Sequence, residues 1–489
     1  MRKTKWFAVI VVLAMLLPAC SEEGTSLVQD SPQETAGADN DIADELVETE
    51  DPIKSRTLTD EVPEMNFNGA EFRVLTQDTG EIWAEELTGE ALNDAVFQRN
   101  QVIENRFNMK IVEPTNLAYN AIAAKVRSTV QADDDEFDLV LGQMEESGNN
   151  AIEGNFRNWY EIPYVDFEKP WYPKSFMTEG VGTLNRTMYI AESDMCTTYV
   201  GQTWAMVYDH VYADNYGIKD VYETVKNGRW TIDKLNEWTE NVYTDTNGNG
   251  ERDEEDFFGL LYSANGCGLA ADLYGFGLRT TEVKDGEVVF LLNNERFVSA
   301  FEKIESLLQK ESTIKDPFNG KYTFEVFPTG RVLVSSMQLR FGSWPQFREY
   351  EHDYSYIPLP KWDEAQSEYY TTSDAGCDVM AVLITARSTE MIGAITEALC
   401  AESWRTVMPT FCEISLGAKT ARDPESLEMI NMVLDSRYID FAYLYDCWNG
   451  WTFKLEQFID TGTFASSYQS QEKVVRKHFE KVMKKFYGG

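Results

Sequence analysis

Between Phe72 and Leu141 the apolar positions change repeatedly from one period to another. Phe72-Arg73-Val74-Leu75-Thr76 is a short apolar run behind the turn residues Asn68-Gly69, and it reads as a strand. Across Ala91 to Asn108, Leu92, Val96, Ile103 and Phe107 fall at helical spacing. Met109-Lys110-Ile111-Val112 follows as a strand, Thr115 to Gln131 as a second helix, and Phe137 to Leu141 as a third strand. This alternation predicts an α/β chain with a parallel sheet and right-handed crossovers. Ligands of such sheets sit beyond the carboxyl ends of the strands, here at Gln77-Asp78 and at Gly142-Gln143-Met144.

A second set of elements follows. Met188 to Ala191 and Trp204 to Tyr208 read as strands, and Thr231 is placed to cap a helix running to about Tyr243. Val288 to Leu292, Phe297 to Leu308 and Val332 to Leu339 continue the alternation, and beyond Ala386 the pattern is mainly helical. In the last helix Val475, Phe479, Val482 and Phe486 share one face. Lys473, Arg476, Lys477, Lys481, Lys484 and Lys485 then form a solvated face or a partner-binding one.

The first sixty residues differ in kind. Arg2, Lys3 and Lys5 precede an apolar run from Trp6 to Leu17 that ends in Leu17-Pro18-Ala19-Cys20. The run is too short for ~30 Å of hydrocarbon but suits the apolar region of a signal peptide. The last four residues resemble the lipobox of bacterial lipoproteins, which implies acylation of Cys20 and cleavage before it. From Ser21 to Glu64 there are fourteen Asp or Glu against Lys54 and Arg56, with no aromatic residue. Such a stretch predicts a disordered, extended tether.

A formal net charge of -39 leaves nucleic acid a poor partner, since phosphate binding needs clustered cations. Seven Cys occur without C-x-x-C or Cys/His spacing, so zinc is not expected, and buried thiols or disulfides both stay open.

The order of short motifs over some four hundred residues resembles the extracellular solute-binding proteins of family 1, the maltose-binding-like substrate receptors of ABC importers. The motifs are Glu90 to Phe107, Phe137 to Leu141, Thr183 to Ala191 with Trp204 to Tyr208, and Asn227-Gly228-Arg229-Trp230-Thr231. Further on come Phe327 to Val332, Ile357-Pro358-Leu359-Pro360-Lys361 and Glu364-Ala365-Gln366. The departures are Pro328-Thr329 and Arg331. The resemblance implies a two-lobe type II periplasmic-binding-protein fold with crossing hinge strands and a mainly helical C-terminal part. It also implies a membrane permease as partner and a monomer held by lipid at the outer membrane face.

The expected organisation is a signal peptide at 1–19, a tether at 20–64, lobe 1 at 65–198, lobe 2 at 199–330, a return to lobe 1 at 331–382, and a helical part of lobe 2 at 383–489.

Two sets of residues carry chemistry. Asp245 to Asp256 matches the twelve-residue calcium loop at positions 1, 3, 5, 6, 9 and 12. Asp245, Asn247, Asn249, the Glu251 carbonyl, Asp253 and Asp256 would be the ligands of a structural Ca2+, with Asp256 shorter than the usual Glu. An Asn-Gly turn without metal is the competing reading. Sugar rings pair apolar faces with polar rims, so a site for an oligosaccharide needs aromatic platforms beside carboxylates and amides. The candidates are Trp344, Trp448 and Trp451, Asp78, Glu81 and Trp83 after the first strand, Gln143 and Glu145 after the third, and Asp194 and Asp374.

Three His and no H-E-x-x-H, G-x-S-x-G or Walker loop argue against an enzyme. A surface glycan-degrading enzyme with a carboxylate pair, a binder of another solute, and an adhesion protein are the alternatives.

Overall fold

The structure is a computed structural model that describes residues 56–177, 184, 186–284, 287–291, 295–416, 424–446, 450–462 and 464–487. The signal peptide, Cys20 and most of the tether lie outside these residues, as does Trp448.

Two separate sheets organise the chain. In the first, Val74–Thr76 pairs in parallel with Thr115–Asn116 on one side and with Leu139–Gln143 on the other. Asp378–Ala381 adds an antiparallel edge beside Leu139–Gln143. A further parallel pair joins Ala70–Phe72 to Met109–Ile111. The single strand expected over 72–76 is thus two, broken at Arg73. Its backbone N–H donates to Asp138 Oδ2 at 2.8 Å, and its guanidinium holds the same carboxylate at 2.9 and 2.8 Å.

Helix Ala91–Phe107 ends on Asn108 in the left-handed conformation and buries Val96, Ile103 and Phe107. Thr115–Asn116, expected to open the second helix, is strand, and the helix starts only at Tyr119.

The second sheet has the order Thr313–Asp316, Phe257–Ser263, Val332–Gln338, Trp204–Asp209, Tyr354–Ile357. The first three strands run parallel, and Trp204–Asp209 is antiparallel to both its neighbours. Phe257–Ser263 and Val332–Gln338 are buried at every position, as near-continuous apolar runs covered on both faces require. Thr231 caps Ile232–Thr239 by accepting from the Lys234 amide at 3.2 Å. Met188 to Ala191 forms no strand, only a bridge from Ala191 to Met380.

The expected return of 331–382 to the first lobe is corrected by this topology. Val332–Gln338 and Tyr354–Ile357 complete the second sheet, and the chain rejoins the first only at Asp378–Ala381. Nor do residues 383–489 belong to one lobe. Thr389–Glu402 and Met408–Leu416 pack on Ala91–Phe107 of the first. Helix Pro424–Asp435 is already back on the second, against Tyr354–Ile357, and further on the Asp440 carboxylate accepts from the Thr280 and Thr281 amides at 2.9 and 3.0 Å. Apolar periodicity locates helices but does not say which sheet they cover.

Candidate functional site

Two segments cross between the sheets, and the end of strand Val332–Gln338 lies beside them. Trp204 N–H donates to Thr372 O at 3.1 Å, Asp374 N–H to Gln202 O at 2.9 Å, and Leu339 N–H to Thr203 O at 3.0 Å. These bonds make a narrow hinge of 202–204, 338–339 and 371–374. Each segment delivers a polar side chain to the same place.

Asp374 is its centre. One carboxylate oxygen accepts from Gln338 Nε2 at 2.9 Å and the other from the Gly376 amide at 2.9 Å. Burial pushes this carboxyl up, while the Gly376 amide and the Arg340 guanidinium hold it down. A Cβ on Gly376 would lie 3.1 Å from Asp374 Oδ1, 3.3 Å from Gln202 Oε1 and 3.5 Å from Gln143 Nε2, so three side chains converge around that glycine. Gln338 Oε1 and Arg340 Nε are buried without a hydrogen-bond partner. Such atoms occur elsewhere among the described residues too, Trp171 Nε1 and Asn236 Oδ1 for example; what sets this pair apart is its place beside Asp374.

The second lobe closes the cluster from the other side. Helix Gly266–Gly275 starts on Asn265, whose side chain accepts from the Gly268 amide at 3.0 Å. Cys267, in its first turn, interacts with Tyr443 and Asp374. Tyr443 is buried and donates to Ser373 O at 3.1 Å. The first lobe's helix Met144–Glu153 meets Phe441–Leu444 at Gly148, where a Cβ would sit 2.2 Å from Leu444 O. Only glycine allows this approach. Glu145, one turn earlier, is pushed up to about 7, chiefly by burial and then by Asp446, Glu146 and Asp374.

Of the expected site residues, Gln143, Glu145 and Asp374 are brought together. Asp78 is exposed on the adjoining loop, where it accepts from the Gly80 amide at 2.9 Å and acts on Arg340. Glu81 is buried, taking the Thr198 amide at 2.6 Å and the Thr197 hydroxyl at 3.1 Å. Burial, then Asp378, raises its pKa, and the Asp378 carboxyl itself reaches about 7. These two acids brace the loop from below. Trp83 packs half-buried against the core. Asp194 stands apart with Arg56 at 3.5 Å, its pKa pushed up to about 6 by burial. Trp344 packs edge-on against Phe324 and Phe341, with ring centroids 4.8 and 4.9 Å away. Trp451 opens helix Trp451–Thr461, its side chain outside the described residues.

Sequence reasoning missed Gln202, Cys267, Gln338, Arg340 and Tyr443. For two of them a signal existed. Gln338 ends a strand and Arg340 follows it, so the carboxyl-end rule used for the first sheet applied here too.

In the loop from Asp245 to Asp256, Gly248 and Gly250 take positive φ of 70° and 76°. Asp245 accepts from the Gly248 and Gly250 amides at 2.7 and 2.9 Å, and Asn247 and Asn249 cap the amides two residues on. Asp253 accepts from the Asn249 side chain at 2.6 Å. Asp256 is fully buried, with its oxygens on Tyr243 OH at 2.8 Å and on the Thr246 and Asp253 amides at 3.2 and 3.0 Å. The donor set is all oxygen, the kind a hard divalent cation takes. Among the described residues, though, no three His, Cys, Asp or Glu side chains group closely enough to hold a metal. Five cysteines (Cys196, Cys267, Cys377, Cys400 and Cys412) are free thiols.

Two α/β lobes, the chain crossings between them and a polar cluster at the hinge define the two-lobe type II fold of periplasmic binding proteins. No family model and no curated protein matches the sequence. Among solved structures, the chain is similar to the maltose/maltodextrin-binding domain MalE from Bdellovibrio bacteriovorus bound to maltotriose, with TM-score 0.53 and 12% identity over 85% of this chain and 99% of that one. It is similar to an ABC substrate-binding protein from Listeria monocytogenes in complex with cycloalternan, with TM-score 0.53 and 12% identity over 85% and 98%. UgpB from Mycobacterium tuberculosis in complex with glycerophosphocholine gives TM-score 0.52 and 13% identity over 86% and 97%.

Proposed function

We propose that this chain captures a neutral carbohydrate, an oligosaccharide, in the cleft between its lobes and delivers it to the membrane subunits of an ABC importer, without chemical turnover. The observation that carries this reading is the hinge cluster. Asp374, Gln143 and Gln202 converge on Gly376, and Gln338 Oε1 and Arg340 Nε are left over for hydroxyl groups. Cys267 and Tyr443 complete the cluster from the second lobe. Sugar complexes of the Bdellovibrio and Listeria neighbours support the ligand class. The second reading is a polyol phosphate, favoured by Arg340 and by the glycerophosphocholine complex of UgpB. Glu145, Asp374 and Asp446 at the same cleft weigh against an anion.

Export and acylation at Cys20 would hold the receptor at the outer membrane face, and among the described residues no helix is long and apolar enough to cross a membrane. Calcium in the loop from Asp245 to Asp256 would be structural. Its test is a thermal melt with and without a chelator: at a hundredfold excess over Kd, calcium should stabilise by about 2.7 kcal/mol, and Asp245→Ala should abolish the shift. An unchanged melt removes the metal from the account.

The function is tested by titrating maltotriose, cycloalternan and glycerophosphocholine into the protein by calorimetry while assaying for shorter products. Saturable sugar binding without products supports the receptor. Product formation would make it an enzyme.

A further inference from the structure

The C-terminal helix Phe464–Tyr487 buries Phe464, Tyr468, Val475, Val482 and Phe486. At 3.6 residues per turn, Lys473, Lys477, Lys481 and Lys484 fall within an arc of about 80° opposite that face, along about 16 Å of helix. All four are exposed, and among the described residues none is in an ion pair. Arg476, by contrast, is paired with Glu472 at 2.8 Å, and Lys485 lies 5.3 Å from the Tyr189 ring. In a chain with 82 Asp and Glu against 43 Lys and Arg, four unpaired lysines in one line are a distinct feature.

We infer that this lysine stripe is a docking surface for an anionic lipid bilayer. The stripe is straight and borders a shallow, wholly polar groove lined by Gln469, Glu472, Lys473, Arg476, Lys477 and Glu480, without the aromatic anchor that a protein partner would need. A plane of lipid phosphates is the flat, continuous charge that matches it. Val474 and Tyr487, 62% and 38% exposed, flank the lysines on either side, where an interfacial helix places residues that enter the headgroup layer. Glu480, exposed at the edge of the same face, offsets one of the four charges, while acidic groups more than about 8 Å from the contact are screened at physiological ionic strength. Docked this way, the helix would fix one orientation of the receptor on the membrane, independently of ligand capture.

The test uses the chain from Ser21 to Gly489, so that neither an acyl group nor the apolar run Trp6 to Leu17 contributes, and vesicles of phosphatidylglycerol and phosphatidylcholine in equal parts or of phosphatidylcholine alone. Each lysine at an anionic surface contributes about fivefold in affinity. Cosedimentation should therefore favour the anionic vesicles, weaken in high salt, and fall by more than tenfold in the variant with all four lysines changed to Gln. Changing all four to Arg should preserve binding and shows that the helix surface tolerates substitution. A control with Lys110, Lys174, Lys219 and Lys284 changed to Gln loses the same charge elsewhere and should bind as before. Equal binding to both vesicle types, or equal loss in the stripe and control variants, would overturn the inference.

Discussion

Replacing Gly148 by Ala puts one methyl group at the contact between the lobes. The added Cβ would lie 2.2 Å from Leu444 O, where ordinary contact begins at 3.4 Å, and the obstructing atom is backbone. The two helices would have to separate by about 1 Å, and overpacking of this kind costs about 1–3 kcal/mol. If the contact belongs to the closed arrangement, that cost falls on closure alone. The dissociation constant for ligand should then rise by a factor of about 5 to 150. The free protein should not suffer, since Ala in a helix interior is better than Gly by up to about 1 kcal/mol. Calorimetry gives the affinity, and a thermal melt of the unliganded protein gives the second readout. Weaker binding with an unchanged or higher Tm is the expected pair. An unchanged Kd with a lowered Tm would mean that Gly148 supports the fold and not closure, and the reasoning would fail.

Arg99 is 1% exposed and donates to the carbonyls of Glu81 and Ile82 at 2.9 and 3.1 Å and to Ser403 Oγ at 3.0 Å. Arg99→Ala orphans these acceptors and leaves a void, so stability should fall by about 3 kcal/mol or more, seen as a lowered Tm in the absence of ligand. Glu145 has its folded pKa raised to about 7, so its neutral form favours the fold below the unfolded value of 4.5, and that advantage is lost as pH rises to 7. Melts of Glu145→Gln and the parent protein, compared between pH 4.5 and 7, should diverge in favour of the variant as pH rises. A constant difference would show that Glu145 does not titrate in that window.

Much of the architecture was legible because periodicity is a local property. Helix Ala91–Phe107, the strands at 139, 204 and 332, and the Thr231 cap follow from side-chain spacing. Lobe membership was not, because it depends on pairing between distant segments. Val332–Gln338 is as apolar as a strand of either sheet, and only its partners Phe257–Ser263 and Trp204–Asp209 place it. The site was half legible for the same reason. Gln143 and Glu145 follow a strand end, whereas Cys267 and Tyr443 join Asp374 only through the crossing of the chain. Trp344 also packs well in a cluster with Phe324 and Phe341, a contact that its place in the sequence does not announce. The aromatics beside Asp374 are Trp204 and Tyr443.

The central claim is that the hinge cluster holds a sugar. The most direct test is calorimetric titration of maltotriose, maltotetraose and cycloalternan into the parent protein and into Asp374→Ala. The account predicts saturable binding of at least one sugar by the parent and a loss of at least about tenfold in the variant, the order expected for a hydrogen bond to a charged group. Binding that Asp374→Ala leaves intact, or binding of glycerophosphocholine with none of the sugars, would contradict it.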